Sequence, residues 1–102
     1  MAHAFPLTEV SDEAVAIINE VLKRRLARFG FTRAEIRPGE DHDGDPVIFV
    51  DARHKRTDVP VDPLETAGAR SEIRRKLSEI GEHRFPHIRN HLAKGQPILG
   101  YP

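Results

Sequence analysis

The first apolar pattern along the chain has the period of an amphipathic helix. Its stripe consists of Val15, Ile18, Leu22, Leu26 and Phe29. Ser11 precedes the stripe as a typical N-cap, and Asp12 and Glu13 place negative charge in the first turn. Gly30 follows it as a typical helix terminator. The pattern therefore predicts a first helix that begins near residue 11 and ends at Gly30.

Two stretches after this helix have the character of β-strands. Residues 31–37 alternate between small or apolar side chains and charged ones, which predicts a half-exposed strand. Residues 47–54 begin with four consecutive apolar residues, which predicts a strand covered on both faces or lying in the middle of a sheet. The connection 38–46 is longer than a tight hairpin, so we expect a bulge or an open turn there.

A second helical pattern follows a polar connector. The sequence Asp62-Pro63-Leu64-Glu65 supplies an N-cap, a first-position proline and a capping-box glutamate. The apolar stripe of this helix is narrow and consists of Ala69, Ile73, Leu77 and Ile80. Gly81 marks its end. The remaining face, which includes Glu72, is rich in charge and is predicted to lie in water.

The segment after the second helix fits two different structures. Phe85, Ile88 and Leu92 would share one face of a short helix that starts at Pro86. Ile88, Asn90 and Leu92 would equally share one face of a third strand. Of the two, we favour the helix for residues 84–94.

Together these elements predict a single α+β domain over residues 1–102, in the order α-β-β-α. It would consist of a mobile arm (1–9), a core (10–94) and an extended tail (95–102). An antiparallel hairpin packed by two helices leaves only two strands, and a two-stranded sheet is marginal in water. We therefore expect either a third strand from the tail or pairing of the second strand with its copy. The second arrangement would give a four-stranded sheet across a two-fold homodimer.

Composition and charge narrow the range of functions. A chain of 102 residues can bury one small core, so we expect no large enclosed cleft. Its 16 Lys+Arg balance its 16 Asp+Glu, so attraction to nucleic acid or to an anionic membrane requires charges that are separated in space. Without cysteine it has no disulfides and no thiolate chemistry. No long apolar run and no signal peptide are present, and a cytoplasmic protein without membrane contact is expected.

Two groups of residues have the side chains that bind metals. Asp41, Asp43 and Asp45 lie in an acidic turn, but an EF-hand needs glycine at its sixth position and glutamate at its twelfth, and the chain has neither. His87 and His91 are four residues apart and offer only two ligands. We interpret the first group as a self-capping turn and the second as surface histidines. Both stay weak metal candidates, and no cofactor is expected.

No residue pattern predicts catalysis or strong nucleic-acid binding. A nucleophile elbow, a dinucleotide fingerprint and a phosphate-binding loop are all absent from the sequence, so we assign no catalytic residue. Basic clusters occur at 23–28, 53–56 and 74–76. Glutamates are interleaved with them and tryptophan is absent, which favours solvated helix faces over a nucleic-acid surface.

The acidic turn and the strand after it carry a resemblance. Asp43-Gly44-Asp45-Pro46, the apolar strand that follows, the arginine-rich helix and Arg84-Phe85-Pro86 are together similar to a group of small bacterial proteins with no assigned activity. The resemblance covers about residues 33–88. It implies a fold and a stand-alone bacterial gene product, and it brings no activity, cofactor or site residue. It also suggests an antitoxin-like or adaptor subunit that acts with a neighbouring gene's product.

The leading functional prediction is a small interaction module that associates with itself and binds a protein partner. A nucleic-acid-associated protein that uses basic helix faces is the second prediction, and a small enzyme with an unrecognised site is the third. The contact surfaces are predicted at the edge of the second strand and in the C-terminal tail. The candidate residues are Val47, Phe49, Val50, Ile98, Leu99 and Tyr101.

Overall fold

The structure, a computed structural model, describes residues 7–100 of the chain. Its elements are α1 (Asp12–Leu26), β1 (Phe31–Glu40), β2 (Pro46–His54), α2 (Pro63–Glu79) and β3 (Phe85–His91). A 3-10 turn, Ala27–Phe29, extends α1. The chain is thus α+β, and a third strand follows the predicted α-β-β-α order. Within residues 7–100 no helix has the length and apolar character that crossing a membrane requires.

The first helix begins and ends at the residues that its sequence predicts. The Ser11 side chain accepts a hydrogen bond from the backbone N–H of Ala14 at 3.1 Å, which caps the first turn. Gly30 ends the helical segment in the left-handed conformation, with φ of 91°. The backbone N–H of Lys55 then donates to the Gly30 carbonyl at 2.9 Å. This close approach joins the end of α1 to the end of β2.

The central strand of the sheet is β2. It pairs antiparallel with β1 and parallel with β3, so both of its edges are occupied within one chain. Pairing of β2 with its copy in a second subunit is therefore excluded in this fold. The β1–β2 ladder continues to the pair Glu40 and Pro46, so the turn spans only residues 41–45 and the nine-residue connection predicted for 38–46 was too long.

Residues 85–91 form strand β3, and the prediction of a short helix over 84–94 was wrong. The apolar spacing suits both a helix and a strand, so the structure of this segment depends on the residues with which it can pair. As a strand it pairs with the otherwise unpaired edge of β2, which satisfies backbone groups on both strands. Ile88 then lies opposite Val50, and the side chain of Asn90 lies 2.9 Å from the ring Nε2 of buried His54. Tertiary pairing therefore overrides a locally ambiguous pattern.

Both helices pack on the same face of the sheet. The buried cluster between them consists of Ala14, Ile18, Val21, Leu22, Leu26 and Phe29, of Ala69, Ile73 and Leu77, and of Ile48, Val50, Ala52 and Val61. Because side chains alternate along a strand, the intervening residues of β2 project from the opposite face. Neither helix covers that face. Packing of the core therefore does not determine which residues occupy that face.

A buried ion pair joins the N-terminal segment to the start of β3. Arg84 donates from Nε and Nη2 to the Glu82 carboxylate at 2.9 and 2.7 Å, and both residues are buried. The same guanidinium donates to the backbone carbonyls of Leu7 at 3.2 Å and Glu9 at 2.8 Å. The end of the segment predicted as a mobile arm is thus bound to the core, while its residues 1–6 lie outside the described part.

The two helices are also joined by a network of charges centred on Glu72. Its carboxylate accepts hydrogen bonds from Arg24 and from Nε of Arg25, the latter at 2.7 Å, and Lys76 lies 3.4 Å away. The Glu72 side chain is only 11% exposed, so the prediction that it lies in water was wrong. The hydrogen bond from Arg25, followed by those from Arg24 and Lys76, lowers its pKa to about 2. Because Gly68 has no side chain, α2 leaves room for the Arg25 guanidinium beside it.

Gly30→Ala is expected to destabilise the protein more than Gly44→Ala. Both glycines have left-handed φ angles, 91° and 84°, so each alanine costs about 1 to 2 kcal/mol in backbone energy. At Gly30 an added Cβ would also collide with the carbonyl oxygen of Lys55. At Gly44 no atom of the described chain lies within 4 Å of an added Cβ. Urea unfolding measures the difference, and equal losses would contradict the close approach at Gly30.

Glu72→Gln is expected to lower the free energy of unfolding at pH 7 by roughly 1 to 3 kcal/mol, because charged hydrogen bonds to Glu72 are lost. The pKa of Glu72 is lowered from 4.5 to about 2, so its stabilisation is complete above pH 4.5 and declines as the pH falls toward 2. The difference between wild type and variant should therefore shrink over that pH range in urea titrations.

Glu79→Gln is the matched control for this measurement. Glu79 lies on the same helix, its side chain is 63% exposed and it pairs only with Arg75 within the described residues. Loss of the Glu79 charge should change the free energy of unfolding by less than about 0.5 kcal/mol. If the Glu72 variant and the wild type differ by the same amount at every pH, the assigned pKa of Glu72 is wrong.

Candidate functional site

The side of the sheet that neither helix covers, which we call the open face, carries most of the polar side chains of the strands. It is built from four cross-strand rows, each with one residue from β1, β2 and β3. The rows are Gly39, Val47 and Phe85; Arg37, Phe49 and His87; Glu35, Asp51 and Arg89; and Arg33, Arg53 and His91. Strand pairing thus brings together residues from positions 33 to 91 of the chain.

The open face carries four arginines and two carboxylates. Glu35 accepts hydrogen bonds from Arg33 at 3.0 Å and from Arg53 at 3.1 Å, and so neutralises a single charge between them. Asp51 likewise forms ion pairs with Arg37 and Arg89, at 2.9 and 3.4 Å. The surface therefore keeps an excess of positive charge, although the whole chain has a formal net charge of zero.

Asp51 organises the centre of this surface. It is 7% exposed, and its Oδ1 lies 2.7 Å from Nε2 of His91, while Oδ2 accepts a hydrogen bond from Arg37 at 2.9 Å. The hydrogen bond with His91 is the largest cause of a lowered Asp51 pKa, to which Arg37 and the charge of Arg89 add, while burial opposes the change. Asp51 therefore stays ionised and orients three cationic or basic side chains.

Next to this charged centre lies a group of rings, the aromatic cluster, formed by Phe49, His87 and Phe85. The ring centroids of Phe49 and His87 are 5.8 Å apart, and those of His87 and Phe85 are 4.9 Å apart. The Arg37 guanidinium lies over the Phe49 ring at 4.8 Å, and Arg74 of α2 lies over Phe85 at 5.2 Å. All three rings are half-buried, so each presents part of its surface to solvent.

Gly39 explains why the Phe49 ring lies close to the sheet. A Cβ at position 39 would collide with the Phe49 ring, so only glycine allows the ring to lie across β1 at this point. The ring is thereby fixed beneath Arg37, whose guanidinium is held from the other side by Asp51. The Phe49 ring thus lies against β1 at Gly39 and has the Arg37 guanidinium over it.

The arginines of the open face have unused hydrogen-bonding capacity. Within the described residues each of the four guanidiniums makes one hydrogen bond or none, whereas a guanidinium has five N–H groups. The Nε of Arg53 is buried and has no hydrogen-bond partner within residues 7–100. The exposed N–H groups of the four guanidiniums, unlike the buried Nε of Arg53, are available to a ligand that carries acceptor oxygens.

The predicted metal candidates are not brought together. Asp41 Oδ1 accepts the backbone N–H groups of Asp43 and Asp45 at 2.9 and 3.0 Å, so the acidic turn caps itself. His87 lies among the rings and His91 on Asp51. Within residues 7–100 no group of three or more histidines and carboxylates is placed to hold a metal ion.

The predicted interface residues lie in three different environments. Val47 and Val50 are 2% and 1% exposed, and Phe49 is half-buried on the open face. Ile98 and Leu99 are 58% and 42% exposed. Their backbone runs beside Val61, whose N–H donates to the Pro97 carbonyl and whose carbonyl accepts from Leu99. Tyr101 lies outside the described residues. The edge of β2 is not open, because β1 and β3 occupy it.

The basic clusters read from the sequence are largely neutralised on the helices. Arg24, Arg25 and Lys76 belong to the network around Glu72, which also includes Glu20. Of the 53–56 cluster only Arg53 lies on the open face. The sequence analysis missed this surface, although the alternation of charged residues in 31–37 already predicted one exposed side of β1.

The chain was compared with known proteins. No model of a known protein family matches it, and a search of curated proteins finds no match either. The open face, with its excess of arginines beside the aromatic cluster, is therefore the evidence on which a functional assignment rests.

Proposed function

We propose that this protein is an interaction module that binds a partner rich in negative charge through the open face. The observation that carries the proposal is the pairing of four arginines with only two carboxylates on a sheet face that neither helix covers. This keeps the interaction module expected from the sequence and moves its contact surface from the edge of β2 to the face of the sheet.

Fold stability gives no reason for this arrangement. Arg33 and Arg53 lie directly opposite each other on neighbouring strands, and like charges in that position destabilise a sheet. Glu35 reduces the repulsion, but the Arg33 and Glu35 side chains are 63% and 51% exposed, and exposed pairs of this kind contribute little. A surface that is unfavourable for the fold is typical of a binding site.

Arginine rather than lysine also favours a particular partner chemistry. All four cations of the open face are guanidiniums, whose planar fork of donors matches the geometry of phosphate and carboxylate oxygens. Asp51 fixes the Arg37 guanidinium before any partner arrives, which reduces the side-chain entropy that binding would otherwise remove. The open face is thus suited to oxyanion groups arranged along an extended partner.

The double variant Arg33→Ala/Arg89→Ala is expected to elute from immobilised heparin at clearly lower salt than the wild type, because polyanion binding depends on the number of paired charges. Both arginine side chains are 63% exposed, so their removal leaves the core unchanged. Circular dichroism and thermal unfolding check that the variant is folded.

Arg70→Ala/Arg75→Ala is the matched control, since it removes the same charge from two exposed positions of α2. It should elute with the wild type or close to it. Equal elution shifts for the two double variants, or a wild type that heparin does not retain even at low salt, would contradict binding through the open face.

Self-association stays a prediction of the sequence. A continuous sheet would have to use an outer edge, and each edge strand contains a proline, Pro38 or Pro86, which cannot donate to an added strand. The exposed side chains of Ile98 and Leu99 are the remaining contact candidates. Light scattering at micromolar concentration tests this prediction. A monomeric mass would exclude it, and a dimer that Leu99→Asp dissociates would support it.

A further inference from the structure

We propose that the partner of the open face is a single-stranded nucleic acid, whose bases stack on the flat groups of the aromatic cluster and whose phosphates contact the arginines. This inference rests on the proposed function, because it names the partner of the same surface. It is carried by one juxtaposition: rings and guanidiniums lie in neighbouring rows of a single sheet face.

Rings and arginines on the open face have a spacing that suits a nucleotide chain. Neighbouring rows of a sheet face are two residues apart along each strand, or roughly 6.5 Å. The row with Phe49 and His87 is therefore within one nucleotide of the row with Asp51 and Arg89. A strand that places a base on the aromatic cluster can place its adjoining phosphates beside arginines.

The open face also presents flat groups on which bases can stack. Arg37 lies over the Phe49 ring and donates a hydrogen bond to Asp51, so its flat guanidinium is held near the ring. Bases stack on guanidinium planes as well as on aromatic rings. At the other end of the cluster, Phe85 is half-buried and packs edge-on against His87. Arg37 and His87 are thus the surfaces on which we place bases, and Phe85, which has the Arg74 guanidinium over its ring, supports His87 from the side.

A single-stranded nucleic acid fits the open face better than other polyanions do. In a duplex the bases are stacked inside the helix, where rings on a broad three-stranded face cannot reach them. An acidic peptide would use the arginines but offers a flat group only where its sequence holds an aromatic residue, whereas every nucleotide carries one. Single strands present both phosphates and accessible base faces, and stacking on side chains is tolerant of sequence.

Fluorescence anisotropy of labelled oligomers tests the inference. The nucleic-acid probes are an oligouridylate, an oligothymidylate, an abasic strand with the same number of phosphates and a duplex, each of about 12 nucleotides, within the range that one such surface contacts. Polyglutamate is the peptide probe. We expect the two base-bearing single strands to bind about tenfold or more tightly than the abasic strand. A preference between the first two distinguishes RNA from DNA.

Arg37→Lys is the decisive variant, since it keeps the positive charge and removes the flat guanidinium. It should weaken binding of the base-bearing strands by about tenfold, as expected for the loss of one stacked base, and leave binding of the abasic strand nearly unchanged. Arg33→Lys is its matched control, because Arg33 contacts no ring in the described structure, and it should affect both strands equally and slightly. Phe85→Ala provides a second measurement at the other end of the aromatic cluster.

Several outcomes would overturn the inference, and they are distinguishable from failure of the proposed function. Equal affinity for the abasic and base-bearing strands, tighter binding of the duplex, or tighter binding of polyglutamate would each remove single-stranded nucleic acid and leave an anion-binding open face. The absence of binding to every probe at low salt, together with no retention on heparin, would remove both proposals.

Discussion

The alternation of side chains along β2 is the constraint on which both the core and the open face depend. Because β2 has a neighbour on each side, its register fixes the position of every row of the sheet. Ile48, Val50 and Ala52 face the helices, and the residues between them face away. A shift of one residue would place Asp51 and Arg53 in the core. The burial of one face therefore also positions the groups that we assign to binding.

Arginines serve two different purposes in this molecule, and only their surroundings distinguish them. Between the helices, Arg24 and Arg25 meet Glu72, and the carboxylates nearly balance the cations. That arrangement joins α1 to α2 and leaves little charge for a partner. On the open face, cations exceed carboxylates and lie beside rings. The functional assignment rests on this contrast, since the sequence shows similar numbers of basic and acidic residues overall.

The sequence predicts the elements that carry their own start and stop signals and fails where the structure depends on distant partners. The first helix, both strands of the hairpin and the second helix follow from caps, periodicity and terminating glycines. Strand β3 does not follow from such signals, because its apolar pattern fits a helix equally well. Its pairing with the edge of β2 makes it a strand. The open face was missed for the same reason: Arg37, Phe49 and Arg89 are far apart in sequence and meet only through pairing.

The contact of Arg84 with the Leu7 and Glu9 carbonyls has a mechanical consequence for the whole sheet. It fastens the beginning of the chain to the residue that leads directly into β3, so the two cannot detach separately without exposing a buried charge. Detachment of the N-terminal segment would therefore destabilise β3, which supplies one residue to every row of the open face. The integrity of that surface therefore depends on hydrogen bonds made by Arg84, which directly precedes Phe85 of the aromatic cluster and is itself buried.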